Sequence, residues 1–369
     1  MGSGLCQSYF PAQAFAGSRR PIKFFNFGAI LSGFESIVNK LYGLDFKVSL
    51  PEQGEVWPGN VLKLDVHKEG GTVFLGTIYL DMDIRSTKVQ GDCHFTVRCS
   101  KLMGDGQYQT PIVVLSLSVM PLTKFCQRKQ YPSEYESVMM DPQQAENFFH
   151  EMGHAIHSML GRTRYQHVAG TRCPSDFAEV PSHLMECFLM TEANICRDPS
   201  GKAMTIDEAN VLLSSRNIFG SIRTSQQALY ALFDLQLHGQ FAHQVSDGSL
   251  STTNLFQKLA DVALPCLERT PNYAYHHRIS HLVTYGAKYY SYLVARAGAS
   301  LIYENLFSEN PFSRENGLKW GKIQSFGGEY PSHYLLEKVL DRKPGDEELS
   351  DVLQESILAD EEKKRMPYI

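Results

Sequence analysis

His150-Glu151-Met152-Gly153-His154 constrains this chain more than any other stretch. Side chains four apart on an α-helix leave from one face, so His150 and His154 can offer two imidazole nitrogens to a single metal ion. Glu151 stands one position round the helix, within reach of a water bound to that ion. These are the parts of a zinc-dependent site for peptide-bond hydrolysis. The flanking residues predict a helix. Asp141 reads as N-cap, Pro142 as the first helical residue, Gln144 as the returning arm of a capping box and Gly161 as a left-handed C-terminal cap. Phe148, Met152, Ala155, Ile156 and Met159 recur at helical spacing and give that helix a side to bury.

A hydrolytic zinc needs a third protein ligand and one open position. His157 cannot supply the ligand, because it lies about 10 Å beyond His150 along the helix axis. An extended motif with a third histidine would need Gly at 157 and His at 160, where His157 and Leu160 stand. A carboxylate from a second helical segment remains. Glu179 and Glu186 are seven apart on one face, near a helix start marked by Pro181. One can ligate the metal while the other orients a ligating histidine through its free N–H. Spacing alone leaves the choice open: Glu179 also fits a capping box with Asp176, Glu186 a solvated position, and His183 is a rival ligand.

The rest of the chain sets the frame. Its 369 residues, 43% apolar and 20% charged, suffice for a sizeable core. A net charge of −5 gives no reason to expect nucleic acid or an anionic membrane as partner. The longest apolar run, Ile112 to Leu122, is too short to span a bilayer. Eight cysteines without a CxxC pair read as free thiols. Residues 26–43 predict a helix closed by Gly43. Runs at Val73–Leu80, Cys93–Val97 and Ile112–Leu115 predict strands of a small sheet within about 61–120. A linker follows over 121–141, then a helical core over about 141–358, ending in an amphipathic helix in the tail from Gly345 to Lys364. The expected fold class is α+β, predominantly α-helical, with a small sheet.

FFHEMGHAIHSMLGRTRYQHVAGTRCPSDFAEVPSHLME, residues 148–186, resembles the catalytic core of the thimet oligopeptidase family of zinc metallopeptidases, and within it the mitochondrial intermediate peptidases. Gly76-Thr77-Ile78-Tyr79-Leu80-Asp81 with Arg85 and Lys88 resembles that family's G-x-x-Y-x-D-x-x-x-R-x-x-K strand. His281 to Tyr292 resembles its substrate-binding loop and helix. The resemblance runs from about residue 24 to about 358. It implies a zincin-like core with one Zn2+ per chain held by His150, His154 and Glu179, and Glu186 behind them. It implies Glu151 as general base, and Tyr292, Tyr285 and His281 as groups that bind substrate and stabilise the oxyanion. The implied activity is endopeptidase cleavage, removing short N-terminal peptides from imported precursors in the mitochondrial matrix. A cytosolic oligopeptidase degrading short peptides is the alternative.

Two departures from the family bear on that expectation. Thr284 stands where the family has glycine before the residue matched by Tyr285, which predicts a stiffer loop. Residues 1–22 match nothing in the family, and the long N-terminal helical half is missing, so 23–369 reads as the catalytic domain alone. Its apolar faces would then be left for association with another chain, and a weak peptide-binding remnant is a further alternative. No convincing transit segment or membrane anchor is visible.

Overall fold

The computed structural model describes residues 24–88, 91–121, 133–191, 197–198, 200–205, 207–209 and 220–354. Residues 1–22, most of the expected linker and the tail beyond 354 lie outside the described residues. The described residues fall into two compact units, one drawn from 24–209 and 298–344, the other from 220–297 and 345–354.

The larger unit opens on α1 (Phe27–Tyr42). Asn26 accepts a hydrogen bond from the Ala29 N–H at its start. Gly43 closes it at φ 70°, a left-handed turn that suits glycine. Its apolar stripe includes Ile30, Phe34, Ile37 and Leu41, all fully buried. The chain turns at once into β1 (Leu44–Ser49), followed by β2 (Val61–Lys68), β3 (Phe74–Ile84), β4 (Cys93–Arg98) and a short hairpin of β5 (Lys101–Leu102) with β6 (Tyr108–Gln109). β7 (Ile112–Pro121) completes the set. The main sheet has the order β1-β2-β3-β7-β4. β3 and β7 pair in parallel; the other neighbours are antiparallel. The sheet therefore starts earlier than the sequence predicts. Leu44-Asp45-Phe46-Lys47-Val48-Ser49 carries the alternation of a half-buried strand, but it is only six residues long and follows a helix cap directly.

The Gly-x-x-Tyr-x-Asp strand and its Arg and Lys stitch the sheet together. Arg85 grips the Asp81 carboxylate with two hydrogen bonds of 2.7 and 2.6 Å. The Lys88 ammonium donates to the carbonyls of Asp81, Asp83 and Leu117 at 2.6–3.0 Å. That is where the β3–β7 register slips between Asp81 and Asp83, and the lysine satisfies carbonyls that the ladder there cannot.

α2 (Pro142–Leu160) carries the HExxH motif. Its capping box forms as predicted: the Gln144 N–H donates to the Asp141 carboxylate at 2.8 Å, and the Asp141 N–H donates to Gln144 Oε1 at 2.9 Å. Phe148 and Phe149 meet Phe34 at ring distances of 6.2 and 5.0 Å, which packs α2 on α1. Gly161 ends the helix, but at φ −74°, not in a left-handed conformation. Glycine is needed there for another reason: a Cβ would lie 2.5 Å from the Cα of Gly170. α3 (Val180–Thr191) follows a short turn of helix, Ser175–Ala178.

In the second unit, α4 (Gly220–His238) and α5 (Thr252–Ala263) share a core of Leu229, Phe233, Phe256, Ala260 and Tyr289. Asp234, fully buried on α4, accepts the Ala287 and Tyr289 N–H groups at 3.0 Å each. His238 Nδ1 lies 3.1 Å from the same carboxylate. Ala287 holds φ 61°, so the left-handed residue of this segment is Ala287; Thr284 is not among the residues with positive φ. The tail is helical over 346–354. The described cysteines Cys93, Cys99, Cys173, Cys187 and Cys266 are free thiols. No helix among the described residues is long and apolar enough to cross a membrane.

Removing the Asp141 carboxylate leaves the first turn of α2 with an unsatisfied N–H. Asp141→Ala is expected to lower unfolding free energy by about 1 kcal/mol, read as a lower denaturant midpoint at unchanged slope.

Candidate metal centre

Three ligand atoms converge. His150 Nε2 lies 3.3 Å and His154 Nε2 3.1 Å from the same Glu179 oxygen, Oε2. The two imidazoles come from successive turns of α2, their rings 5.0 Å apart and nearly perpendicular. Glu179 sits at the junction between the Ser175–Ala178 turn and α3. Ser182, one turn on, donates its hydroxyl to the Glu179 carbonyl at 2.8 Å and lies 3.4 Å from Oε2, which steadies the carboxylate.

The close approach of α2 and α3 depends on Gly153, the small residue inside the motif. A Cβ there would stand 2.6 Å from the Ser182 Cα and 2.8 Å from the Pro181 carbonyl oxygen. No side chain fits between those backbones, and the carboxylate of Glu179 can reach the histidines only because none is present.

The donor set fits a divalent cation. Ligands about 2.0–2.1 Å from a tetrahedral zinc are about 3.3 Å from one another, and the two nitrogen–oxygen distances of 3.3 and 3.1 Å match that edge. All three atoms lie within 4.8 Å of one another. The charges point the same way. Burial would lower the His150 pKa, yet hydrogen bonds to Glu179 and Glu186 outweigh it and raise it to about 10. Burial would raise Glu179, but the neighbouring His154 and His150 hold it well below the usual carboxylate range. The cluster thus favours positive charge at its centre, where a metal cation would compete with a proton for the same atoms.

Glu151 is buried beside the histidines, and burial pushes its pKa up, with His154 and His150 pulling against that. Glu186, on α3, lies with Oε1 2.6 Å from His150 Nδ1, the position from which it orients the ring. Burial opposes its ionisation, but His183 and His150 keep it well below the usual range. His183 sits behind the cluster, its Nδ1 3.1 Å from that Oε1. His157 is fully buried on the far side against Phe177, with burial driving its pKa down to about 3.

One neighbour was not singled out in the sequence. His94 on β4 has its ring 5.8 Å from that of His154, and its Nε2 lies 3.2 Å from the Ser158 hydroxyl. Burial, reinforced by His154, lowers its pKa to about 3, so the ring is neutral. It lies 56 residues before His150 in a strand with alternating polar residues, and nothing local in the sequence marks it.

The remaining site residues lie in the other unit. His281, Tyr285 and Tyr292 form a ring cluster with centroid distances of 5.9–6.1 Å, and Tyr289 joins it 5.4 Å from Tyr292. Tyr285 is exposed, whereas Tyr289 is buried and donates its hydroxyl to Gln227 at 2.8 Å.

Residues 13–355 match Peptidase family M3. The chain belongs to that family. Mitochondrial intermediate peptidase of Homo sapiens is 39% identical over 329 residues, covering 87% of this chain and 43% of the relative. The protein of the same name from Rattus norvegicus is 38% identical over 342 residues, covering 89% of this chain and 45% of the relative. The chain therefore spans less than half the length of these relatives. A solved structure of PZ peptidase A with an inhibitor covers 77% of this chain and 43% of its own, at 12% identity and a TM-score of 0.46.

Because α2 and α3 touch backbone to backbone at Gly153, Gly153→Ala is expected to force them apart. The cost is on the order of 1–3 kcal/mol of stability, together with weaker metal binding. Denaturant unfolding and metal titration of the same variant check the two effects.

Proposed function

We propose that this chain is a zinc-dependent metalloendopeptidase, with His150, His154 and Glu179 holding one Zn2+. The observation that carries the reading is the convergence of two imidazole nitrogens and one carboxylate oxygen at tetrahedral spacing, in a chain that belongs to a peptidase family. When bound, the zinc would supply a Lewis acid that acidifies water and polarises a carbonyl. Glu151 takes a proton from the attacking water and returns it to the leaving amine nitrogen. Its burial suits the first of these steps, because a carboxylate with a raised pKa is a stronger base toward the water proton. Glu186 keeps the His150 proton on Nδ1, so that Nε2 stays free to ligate. Tyr292 and Tyr285 are proposed as hydrogen-bond donors to the developing oxyanion, and His281 as a group that binds the substrate.

The proposed substrates, on the family resemblance, are precursor proteins that lose short N-terminal peptides, and the proposed location is the mitochondrial matrix; the name of the 38–39% identical relatives supports a mitochondrial peptidase. The catalytic domain is proposed to span 23–369. A second reading is a peptide-binding remnant with little turnover.

Glu151→Gln separates the two. The wild type is expected to cleave a quenched peptide in the presence of zinc, and the variant to lose about 10²–10⁴-fold in kcat while still binding the metal. Equal inactivity of the two proteins, both loaded with zinc, would establish the remnant reading instead.

A further inference from the structure

Oε1 of Glu186 receives two partners, at 2.6 Å from His150 Nδ1 and 3.1 Å from His183 Nδ1. The His150 and His183 rings meet edge to face with centroids 5.2 Å apart. A carboxylate oxygen only accepts, so each imidazole carries a proton on Nδ1. A second observation gives the same tautomer for His183. Its Nε2 is buried and has no hydrogen-bond partner among the described residues. A buried lone pair without a partner is tolerated better than a buried N–H without one. His183 precedes Glu186 by three residues on α3, so its proton reaches along one face of the helix to the carboxylate.

We propose that His183 is a positioning residue for the metal centre. Its Nδ1–H holds the Glu186 carboxylate in the one rotamer that receives the Nδ1–H of His150. A glutamate side chain has wide rotamer freedom, and a lone contact with His150 would leave it several ways to point. Donors from α2 and from α3 together fix the oxygen between them. The ring of His150 is then locked with Nε2 toward the Glu179 oxygen before any metal arrives. His183 also draws off some of the negative charge that Glu186 would otherwise lend to His150. Its contribution is therefore orientation, not added basicity. The inference rests on the metal-binding reading of His150, His154 and Glu179.

The test is zinc affinity, measured on the metal-stripped full chain by competition with a chromophoric chelator. Wild type, His183→Leu and His183→Asn are compared, and the melting temperature of each metal-free protein reports on folding. His183→Leu is expected to raise the zinc dissociation constant about tenfold. His183→Asn is expected to recover most of that loss, because its amide N–H2 stands where the imidazole Nδ1–H stood. A leucine variant that binds zinc as tightly as wild type, or more tightly, overturns the proposal. So does an asparagine variant as weak as the leucine one, since the loss would then come from packing. Nitrogen-15 histidine spectra of zinc-loaded wild type need no variant: a proton on Nδ1 of His183 supports the assignment, and one on Nε2 overturns it. Wild type that takes up no zinc brings down the metal-centre reading and this one together, whereas unaltered variants of a zinc-binding wild type retire the role of His183 alone.

Discussion

Two backbones touch where Gly153 of α2 meets Pro181 and Ser182 of α3, and the metal centre hangs on that contact. The histidines belong to one helix and the carboxylate to the approach to the next. Their 3.1–3.3 Å spacing is set by how far apart the helix axes lie, not by the reach of long side chains. Packing of this density transmits small changes, so one methyl group at Gly153 acts on ligand positions that are chemically unaltered. The surrounding core supports the contact from behind, with Phe148 and Phe149 of α2 locked against Phe34 of α1.

Electrostatics explains why the buried cluster tolerates so many ionisable groups. Glu179 and Glu186 are negative, and each faces histidine nitrogens at hydrogen-bond distance. His94 and His157, which lack a facing carboxylate at such a distance, are driven neutral by burial. Glu179 and Glu186 thus place their charge against the His150, His154 and His183 nitrogens, while His94 on β4 and His157 on α2 stand by as neutral polar groups. Glu151 stands between the two regimes: buried enough to favour the protonated acid, near enough to His150 and His154 to lose that proton.

Much of this was readable in the residues, for reasons that differ from one feature to the next. The α2 boundaries follow from local chemistry: Asp141, Pro142 and Gln144 act within four residues, and the capping box forms with the geometry those residues dictate. The choice of Glu179 over Glu186 did not follow from spacing, because both lie on one face; it came from the resemblance of the Phe-x-Glu-x-Pro-Ser segment. β1 has the alternation of a half-buried strand, but at six residues directly after a glycine cap it is too short to stand out from the connection to β2. His94 is not legible because a strand residue and a helix residue 60 positions apart, His94 and His154, become neighbours only through sheet-on-helix packing. Gly161 was assigned the right residue type and the wrong reason: steric room beside Gly170, not a positive φ. The resemblance to the oligopeptidase family is borne out by membership of Peptidase family M3.

The buried Asp234 carboxylate has a consequence for the tyrosine segment beside it. By taking the N–H groups of both Ala287 and Tyr289, it pins the downstream end of that stretch to α4. Breaking the Tyr289 bond would deprive a fully buried carboxylate oxygen, Oδ2, of its donor, a cost that a loop does not meet in ordinary fluctuations. Upstream of that anchor His281, Val283, Thr284 and Tyr285 are exposed. Tyr292 therefore follows directly on the anchored stretch, and Tyr285 lies on its solvent-facing side.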